Sequence, residues 1–190
     1  VEDQGDAFGD LGTLLILIVI LVYIVMATQF ESLKFPFIIM FTIPFAFTGV
    51  FLALWMTSTP LSLIALIGAI MLVGIVTKNG IVMVDYMNLL IERGSGVFDA
   101  VIAGGKSRLR PVLMTSFTTI LGMLPLAIGT GAGSETWQPM GIAVIGGLTF
   151  STILTLFIVP VLYSILVNRS QRKEREKLAR LSAEHQASKH

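Results

Sequence analysis

The chain has 190 residues, of which 54% are hydrophobic and only 13% are charged, a balance outside the range of soluble globular domains. It contains no cysteine, which excludes disulfides and thiolate metal sites. The net charge of +1 hides an uneven distribution, because most charged residues collect in short polar segments and in the C-terminal tail. These features predict a membrane protein.

Five apolar segments are each long enough to cross the hydrocarbon core, which takes about 20 helical residues. They cover 11–28, 36–56, 61–91, 111–128 and 140–167. The predicted fold class is therefore an all-α membrane protein with five transmembrane helices. Residues 1–10 form an acidic lead-in, which indicates a start in mid-protein, and residues 168–190 form a polar tail of mixed charge.

Seven prolines punctuate these segments. Four of them stand at predicted helix starts, where the missing N–H costs little: Pro36, Pro60, Pro111 and Pro139. The other three fall inside predicted spans, where proline causes kinks: Pro44, Pro125 and Pro160.

Basic residues predict the orientation, because cytoplasmic loops of membrane proteins carry the excess of Lys and Arg. Lys34 lies in the first loop, four basic residues lie between the third and fourth spans, and seven lie in the tail. The lead-in and the loops 57–60 and 129–139 carry none. The tail is therefore predicted to be cytoplasmic and the lead-in periplasmic.

Residues 95–105 do not form a span. Val97, Phe98, Val101 and Ile102 recur at helical spacing, which predicts a short helix lying at the cytoplasmic interface.

Lys78 is the only basic residue that falls inside a predicted span. A charge at the bilayer centre costs about 2.5–3.5 kcal/mol on insertion scales, so such a residue marks a functional site unless it escapes to the surface. One interpretation is that its long stem extends to the cytoplasmic headgroups. The other is that it pairs with a group inside a bundle.

The spacing around Lys78 predicts a polar helix face. Asp85 lies seven residues further on and therefore on the same side, which Met71, Gly74 and Thr77 flank. Two helical turns separate the charges of Lys78 and Asp85, so they share a face without forming a direct bridge.

The next span carries a matching stripe. Arg108, Thr115 and Gly122 recur at intervals of seven, starting at the predicted cytoplasmic mouth. If this stripe meets Lys78, a cationic and hydroxyl-bearing track forms inside the bundle; the alternative for Arg108 and for Arg110 is ordinary anchoring at the membrane surface.

Met83 and Met87 share one helix face. Thioether sulfur is a soft ligand for Cu(I), but helix packing is the simpler explanation, and no metal site is predicted.

Together these motifs resemble a known family. The run GIVTKNGIVMVDY at 74–86 and the run SRLRPVLMTSFTTILGMLPLAIGTGAGSETWQPMGIAVIGGLTFSTILTLFIVPVLY at 107–163 look like the C-terminal membrane segment of resistance-nodulation-division (RND) efflux pumps of the hydrophobe/amphiphile exporter type. The upstream run ATQFESLKFPFIIMFTIPFAFTGVFLAL fits the same region. The chain would then be the last five of twelve helices in an RND transporter bundle.

The resemblance implies roles for individual residues. Lys78 matches the proton-relay lysine of the family, Arg108 matches an arginine at the cytoplasmic mouth, and Thr115 matches a threonine just inside it. Asn79 and Asp85 are supporting polar residues. The relay's acidic pair lies on a helix of the other repeat, and Asp85 does not replace it.

The resemblance also implies a function and partners. It predicts a proton/substrate antiporter rather than an enzyme, located in the bacterial inner membrane and driven by the proton motive force without a cofactor. The expected partners are the N-terminal half that carries the relay aspartates, two further copies in a homotrimer, a periplasmic adaptor, an outer-membrane channel and membrane lipids, but no nucleic acid. Drugs or other amphiphiles are the expected substrates.

Three alternatives remain at this stage. The chain could be an inactive structural or assembly fragment, an RND exporter of lipids or metal ions, or part of a channel-like protein with a similar helix pattern.

Overall fold

The structure, a computed structural model, describes residues 2–129, 131 and 133–187, with side chains for 5–129, 131 and 133–169. These residues form six helices and no strand. The helices are α1 (Glu2–Phe30), α2 (Lys34–Met40), α3 (Ile43–Met56), α4 (Leu63–Glu92), α5 (Val97–Ile128) and α6 (Ser134–Ala187).

Five of the stretches described are long and apolar enough to cross a membrane, with α2 and α3 together making one of them. The prediction of an all-α protein with five membrane-spanning helices is confirmed. Successive spans alternate in direction, so the turns at 31–33 and 93–96 lie at one end of the bundle, called the basic end because Lys34 and Arg93 lie there.

The second span is broken rather than kinked. Residues 41 and 42 form a turn between α2 and α3, whereas the sequence predicts only a kink at Pro44. Pro44 has no N–H for the carbonyl of Met40 and its ring crowds that carbonyl. Thr42 closes the turn, because its hydroxyl and its backbone N–H both donate to the carbonyl of Ile39, over 2.6 and 3.0 Å.

The predicted separate helix at 95–105 is wrong. After Ser95 and Gly96 a single helix, α5, runs from Val97 through Pro111 to Ile128, so Pro111 is inside a helix and not at its start. Ala100 and Gly104 are buried, and a Cβ on Gly104 would lie 2.6 Å from Met87 Cγ. This contact holds the segment along α4 as the first part of α5.

The first and last helices are longer than predicted. α1 begins at Glu2, inside the predicted lead-in, and α6 begins at Ser134 and continues to Ala187, with Pro139 and Pro160 inside it. Val1 of the lead-in and residues 188–190 of the tail lie outside the described residues.

α6 is the central helix of the bundle, because it packs along α3, α4 and α5. Its approach to α3 is close: a Cβ on Gly49 would lie 2.8 Å from the carbonyl oxygen of Gly146. Small residues allow membrane helices to approach in this way. One apolar core cluster surrounds this contact, with Val50, Leu72 and Leu148 at its centre.

A second core cluster lies nearer the basic end, around Tyr163. The Tyr163 ring stacks on Phe35 at 5.6 Å, and Phe30 adds a tilted contact with Phe35 at 5.9 Å. These aromatic contacts attach the C-terminal end of α1 to the bundle, while most apolar side chains earlier in α1 are exposed.

Candidate functional site

α4 has two unlike faces. Its buried face packs against the other helices and includes Leu72, Val73, Val76, Thr77, Gly80, Met83, Val84 and Met87. The opposite face, called the outward stripe, is exposed and consists of Ile67, Met71, Gly74, Lys78, Asp85 and Leu89. The spacing of three, four or seven residues places the stripe on one side of the helix.

Lys78 lies near the midpoint of this 30-residue helix. Its side chain is exposed, and it forms no hydrogen bond or ion pair with the side chains that the structure describes. Met71, Gly74 and Asp85 share its face as predicted, but the placement of Thr77 on that face is wrong. Thr77 is buried and donates to the carbonyl of Val73 over 2.6 Å.

Two contacts fix how α4 lies against α6. A Cβ on Gly147 would fall on the side chain of Leu72, and the Tyr163 hydroxyl donates to Asn88 Oδ1. Both pairs are 75 positions apart in the sequence, so between these two contacts the helices run parallel with an offset of 75. Thr77 of α4 therefore lies level with Thr152 of α6.

Two further contacts fix α5 against α6. The Ser116 and Thr152 hydroxyls form a buried hydrogen bond of 2.9 Å, and a Cβ on Gly141 would lie 2.8 Å from the backbone nitrogen of Ala127. Ala127 lies eleven residues after Ser116 on α5, and Gly141 lies eleven residues before Thr152 on α6, as expected for an antiparallel pair. Ser116 is thus level with Thr152, and through it with Thr77.

The contacts between α4 and α5 agree with this register. The Arg108 guanidinium lies over the Tyr86 ring, 4.5 Å from its centroid. Going inward from the basic end, Lys78 lies eight residues beyond Tyr86 on α4, and Thr115 lies seven residues beyond Arg108 on α5. At about 1.5 Å rise per residue, Lys78 and Thr115 lie at the same depth.

The three registers together define a polar layer across the bundle, made of Thr77, Lys78, Thr115, Ser116 and Thr152. Lys78 and Thr115 are exposed, while Thr77, Ser116 and Thr152 are buried. Thr115 donates within its own helix, to the carbonyls of Pro111 and Val112 over 3.1 and 3.0 Å. The layer therefore has an open cationic side and a closed hydroxyl side.

Arg108 lies outside this layer, about two turns nearer the basic end. It is half-buried, and its Nε has no hydrogen-bond partner among the described residues. Stacking on Tyr86 holds the planar guanidinium in place. Arg110, in contrast, is exposed beside an open apolar groove on α5.

Asp85 lies in a different environment from Lys78. It lines a cleft of about 270 Å³ at the basic end. The other lining residues are Gln29, Phe30, Glu31, Asn88, Leu89 and Glu92. Asn79 is half-buried beside Lys78, and Met83 and Met87 are both buried in the cluster around Tyr163.

Sequence reasoning missed the hydroxyl side of the layer. Ser151, Thr152 and Thr155 are buried on α6, as are Ser116 on α5 and Tyr163 near the basic end. A signal was available in the run FSTILTL, because hydroxyls at i, i+1 and i+4 share one side of a helix. An apolar span with such a cluster indicates contact with another helix rather than with lipid.

Known proteins match most of this chain in sequence. Residues 1–167 match the model of a family described as the AcrB/AcrD/AcrF family. Multidrug resistance protein MdtC of Erwinia tasmaniensis is 43% identical over 155 residues, which cover 81% of this chain. Cobalt-zinc-cadmium resistance protein CzcA of Cupriavidus metallidurans is 41% identical over 82% of the chain, and swarming motility protein SwrC of Bacillus subtilis is 38% identical over 90%.

A solved structure agrees. The crystal structure of a heavy metal efflux pump superposes with a TM-score of 0.80 at 32% identity, over 88% of this chain and 17% of that one. The matched region makes up 15% of MdtC and 15% of CzcA. The chain therefore spans only a small part of the length of the relatives it resembles.

Proposed function

The chain belongs to the AcrB/AcrD/AcrF family, the RND efflux transporters, and from that premise we propose that it is the C-terminal membrane part of a proton-driven antiporter. The proposed transporter exports drugs or other amphiphiles in exchange for protons entering across the bacterial inner membrane. It would use the proton motive force alone, which supplies about 2.3 kcal/mol per charge for each 100 mV.

The position of Lys78 carries this proposal. A lysine near the middle of an apolar helix is costly, yet this one is exposed and forms no hydrogen bond or ion pair with the residues that the structure describes. An uncovered charge at that depth needs a partner from elsewhere. In the proposed transporter, the partner is a pair of carboxylates on a helix of the N-terminal half, which packs against the outward stripe.

Proton coupling would follow from this pairing. Ionised carboxylates attract the Lys78 ammonium, and protonating them removes the attraction. The freed ammonium then turns toward Asn79 beside it or Thr115 at the same depth, and α4 and α5 shift. Since α4 and α5 are linked through Tyr86 and Arg108, this change would reach the basic end of both helices.

The same proposal includes the assembly and its orientation. We expect the complete protein to form a homotrimer with a periplasmic adaptor and an outer-membrane channel. Arg108 then lies at the cytoplasmic mouth of the proton path, Asp85 is a supporting polar residue, and the tail at 168–190 is cytoplasmic. The distribution of Lys and Arg supports this orientation.

The direct test is the substitution Lys78→Ala in the complete transporter, reconstituted in liposomes with an imposed pH gradient. We expect it to abolish dye transport, because no cation remains to respond to the carboxylates, while the protein still inserts and elutes as the wild type does. Lys106→Ala is the matched control, since Lys106 is exposed outside the polar layer. Transport retained in well-folded Lys78→Ala protein would contradict the proposal.

Metal export is the second candidate, because one relative of nearly equal identity is a cobalt-zinc-cadmium resistance protein. The same liposomes separate the two: amphiphile export predicts that a pH gradient drives movement of an amphiphilic dye but not of Zn²⁺. Zinc movement without dye movement would assign the chain to metal export. Passive conductance without a gradient would indicate a channel. The absence of any flux would indicate a structural fragment.

A further inference from the structure

Two buried hydroxyls of α6 have no hydrogen-bond partner among the described residues. Ser151 is 1% exposed and Thr155 is 2% exposed, and neither Ser151 Oγ nor Thr155 Oγ1 bonds to any group in the part of the chain that the structure describes. A buried hydroxyl without a partner is costly, because it has given up its bonds to water. Two of them, one helical turn apart, require an explanation.

The other hydroxyls of the bundle show that this is not the general pattern. Hydroxyls in helices usually donate to a carbonyl three or four residues earlier. Thr77, Thr118 and Thr149 do so, over 2.6, 2.8 and 2.7 Å. Thr152, between the two unpaired residues, bonds instead to Ser116. Ser151 and Thr155 follow neither pattern, because among the described residues their hydroxyls bond neither to their own helix nor to another.

The register places these hydroxyls beside the polar layer. Ser151 adjoins Thr152, a member of the layer, and Thr155 lies one turn nearer the basic end. By the offset of 75 that holds between the contacts of Leu72 with Gly147 and of Asn88 with Tyr163, they are level with Val76 and Gly80 on the buried face of α4. They therefore lie on the closed side of the layer whose open side carries Lys78.

We propose that Ser151 and Thr155 form an internal water-binding site between α4 and α6. Residues four apart on a helix have Cβ atoms about 5–6 Å apart, a gap that one water spans with two hydrogen bonds of roughly 2.8 Å each. Buried waters typically bond to otherwise unsatisfied polar groups in this way. The site is independent of whether the protein transports anything.

Burial and charge select water over other ligands. A side chain of another subunit or helix cannot reach hydroxyls that are 1–2% exposed. A cation is disfavoured because the site offers neutral hydroxyl oxygens, and the nearest charge in the layer is that of Lys78. Water is small and neutral, and it both donates and accepts.

The test is water-edited solid-state NMR on the complete protein in lipid bilayers, with ¹³C-labelled Ser and Thr. Magnetisation passes from water to nearby side chains, so we expect build-up at the β-carbons of Ser151 and Thr155. Thr42 is the matched control, because it is equally buried, at 1% exposure, but its hydroxyl is bonded to Ile39. Its signal should stay absent.

The variant Thr155→Val completes the test, since it replaces the hydroxyl with a methyl group of similar size. We expect Thr155→Val to lose the water signal at Ser151. Thr155→Ser keeps the hydroxyl and should retain the signal, which separates loss of the water from poor folding of the valine variant. Absence of the signal in the wild type would overturn the proposal, and so would a Ser151 signal that Thr155→Val leaves unchanged. Neither result depends on transport activity, so failure here is distinct from failure of the proposed antiport.

Discussion

The two faces of α4 differ in packing and in charge. The buried face carries small and branched side chains that fit closely against α2, α5 and α6, and its one polar side chain near the middle, Thr77, is satisfied by its own helix. The outward stripe is exposed, and its charged residues Lys78 and Asp85 form no hydrogen bond or ion pair with the residues that the structure describes. The buried face of α4 packs against the other helices, and the charged residues Lys78 and Asp85 lie on the outward stripe.

This difference has a consequence for the whole molecule. If both faces served stability alone, the outward stripe would be apolar and suited to lipid, like the exposed leucines and isoleucines of α1. A lysine and an aspartate on that stripe are costly in hydrocarbon. We infer that the outward stripe is completed by a partner, whereas the buried face is complete as it stands.

The largest expected effect comes from disturbing the buried face. In Gly147→Val the new Cβ falls on Leu72, and the position also lies 3.1 Å from the carbonyl oxygen of Ala46, so the helices must separate. We expect a loss of about 3 kcal/mol, the upper end for overpacking, in reversible unfolding by SDS. In the 190-residue chain, Gly74→Val on the outward stripe meets nothing within 4 Å and should unfold as the wild type does. Equal losses in the two variants would contradict the distinction.

A substitution on the outward stripe should be favourable, in contrast to the loss expected on the buried face. Lys78→Met removes the charge from the apolar helix and should improve insertion of α4 by up to about 2.5 kcal/mol, given the cost of lysine at the membrane centre. The measurement is the inserted fraction of α4 in a translocon assay. Unchanged insertion would indicate that the lysine side chain already reaches the headgroups and that its charge is not held at this depth.

A smaller effect is expected from the closed side of the polar layer. Ser116→Ala removes the hydrogen bond to Thr152 and should cost about 0.6 kcal/mol and at most about 1.7, the range for such bonds between membrane helices. A double-mutant cycle with Thr152→Val isolates the pair. Thr118→Val is the control, because Thr118 is exposed and donates only within its own helix. Additive losses in the cycle would show that the pair does not interact.

The smallest effect concerns the contact between Tyr86 and Arg108. Tyr86→Leu removes the ring under the guanidinium and should cost about 0.5–1 kcal/mol, whereas Tyr86→Phe keeps a ring and should cost less. The unfolding free energy of both variants, with and without Arg108→Met, measures the interaction. If leucine and phenylalanine behave alike, stacking does not position Arg108.

The sequence predicted the spans well because membrane helices leave a strong apolar signal, and it placed Lys78, Gly74 and Asp85 on one face because helical periodicity is fixed. It failed at Pro44, where it predicts a kink and the span breaks just before the proline, since the outcome depends on whether Thr42 can bond to the carbonyl of Ile39. It also failed at residues 95–105, because the burial of Gly104 against Met87 is a tertiary contact.

The candidate site was only half predicted for a related reason. Lys78 and Thr115 stand out because they match a motif within apolar helices. Serine and threonine are common in membrane helices, so the role of Ser116, Ser151 and Thr155 depends on which side chains surround them. Only the register of α4, α5 and α6 shows that they share a level with the lysine. That register depends on glycines and side-chain pairs far apart in the sequence.

The most direct test of the central claim measures the surroundings of the outward stripe. A spin label at Gly74→Cys, where a side chain has open space, should be mobile and accessible to oxygen when the 190-residue chain is alone in lipid. In the complete transporter the same label should become immobilised and shielded, because the partner carrying the carboxylates covers it. A label that stays equally mobile and oxygen-accessible in both would show that the outward stripe faces lipid and that Lys78 has no partner there.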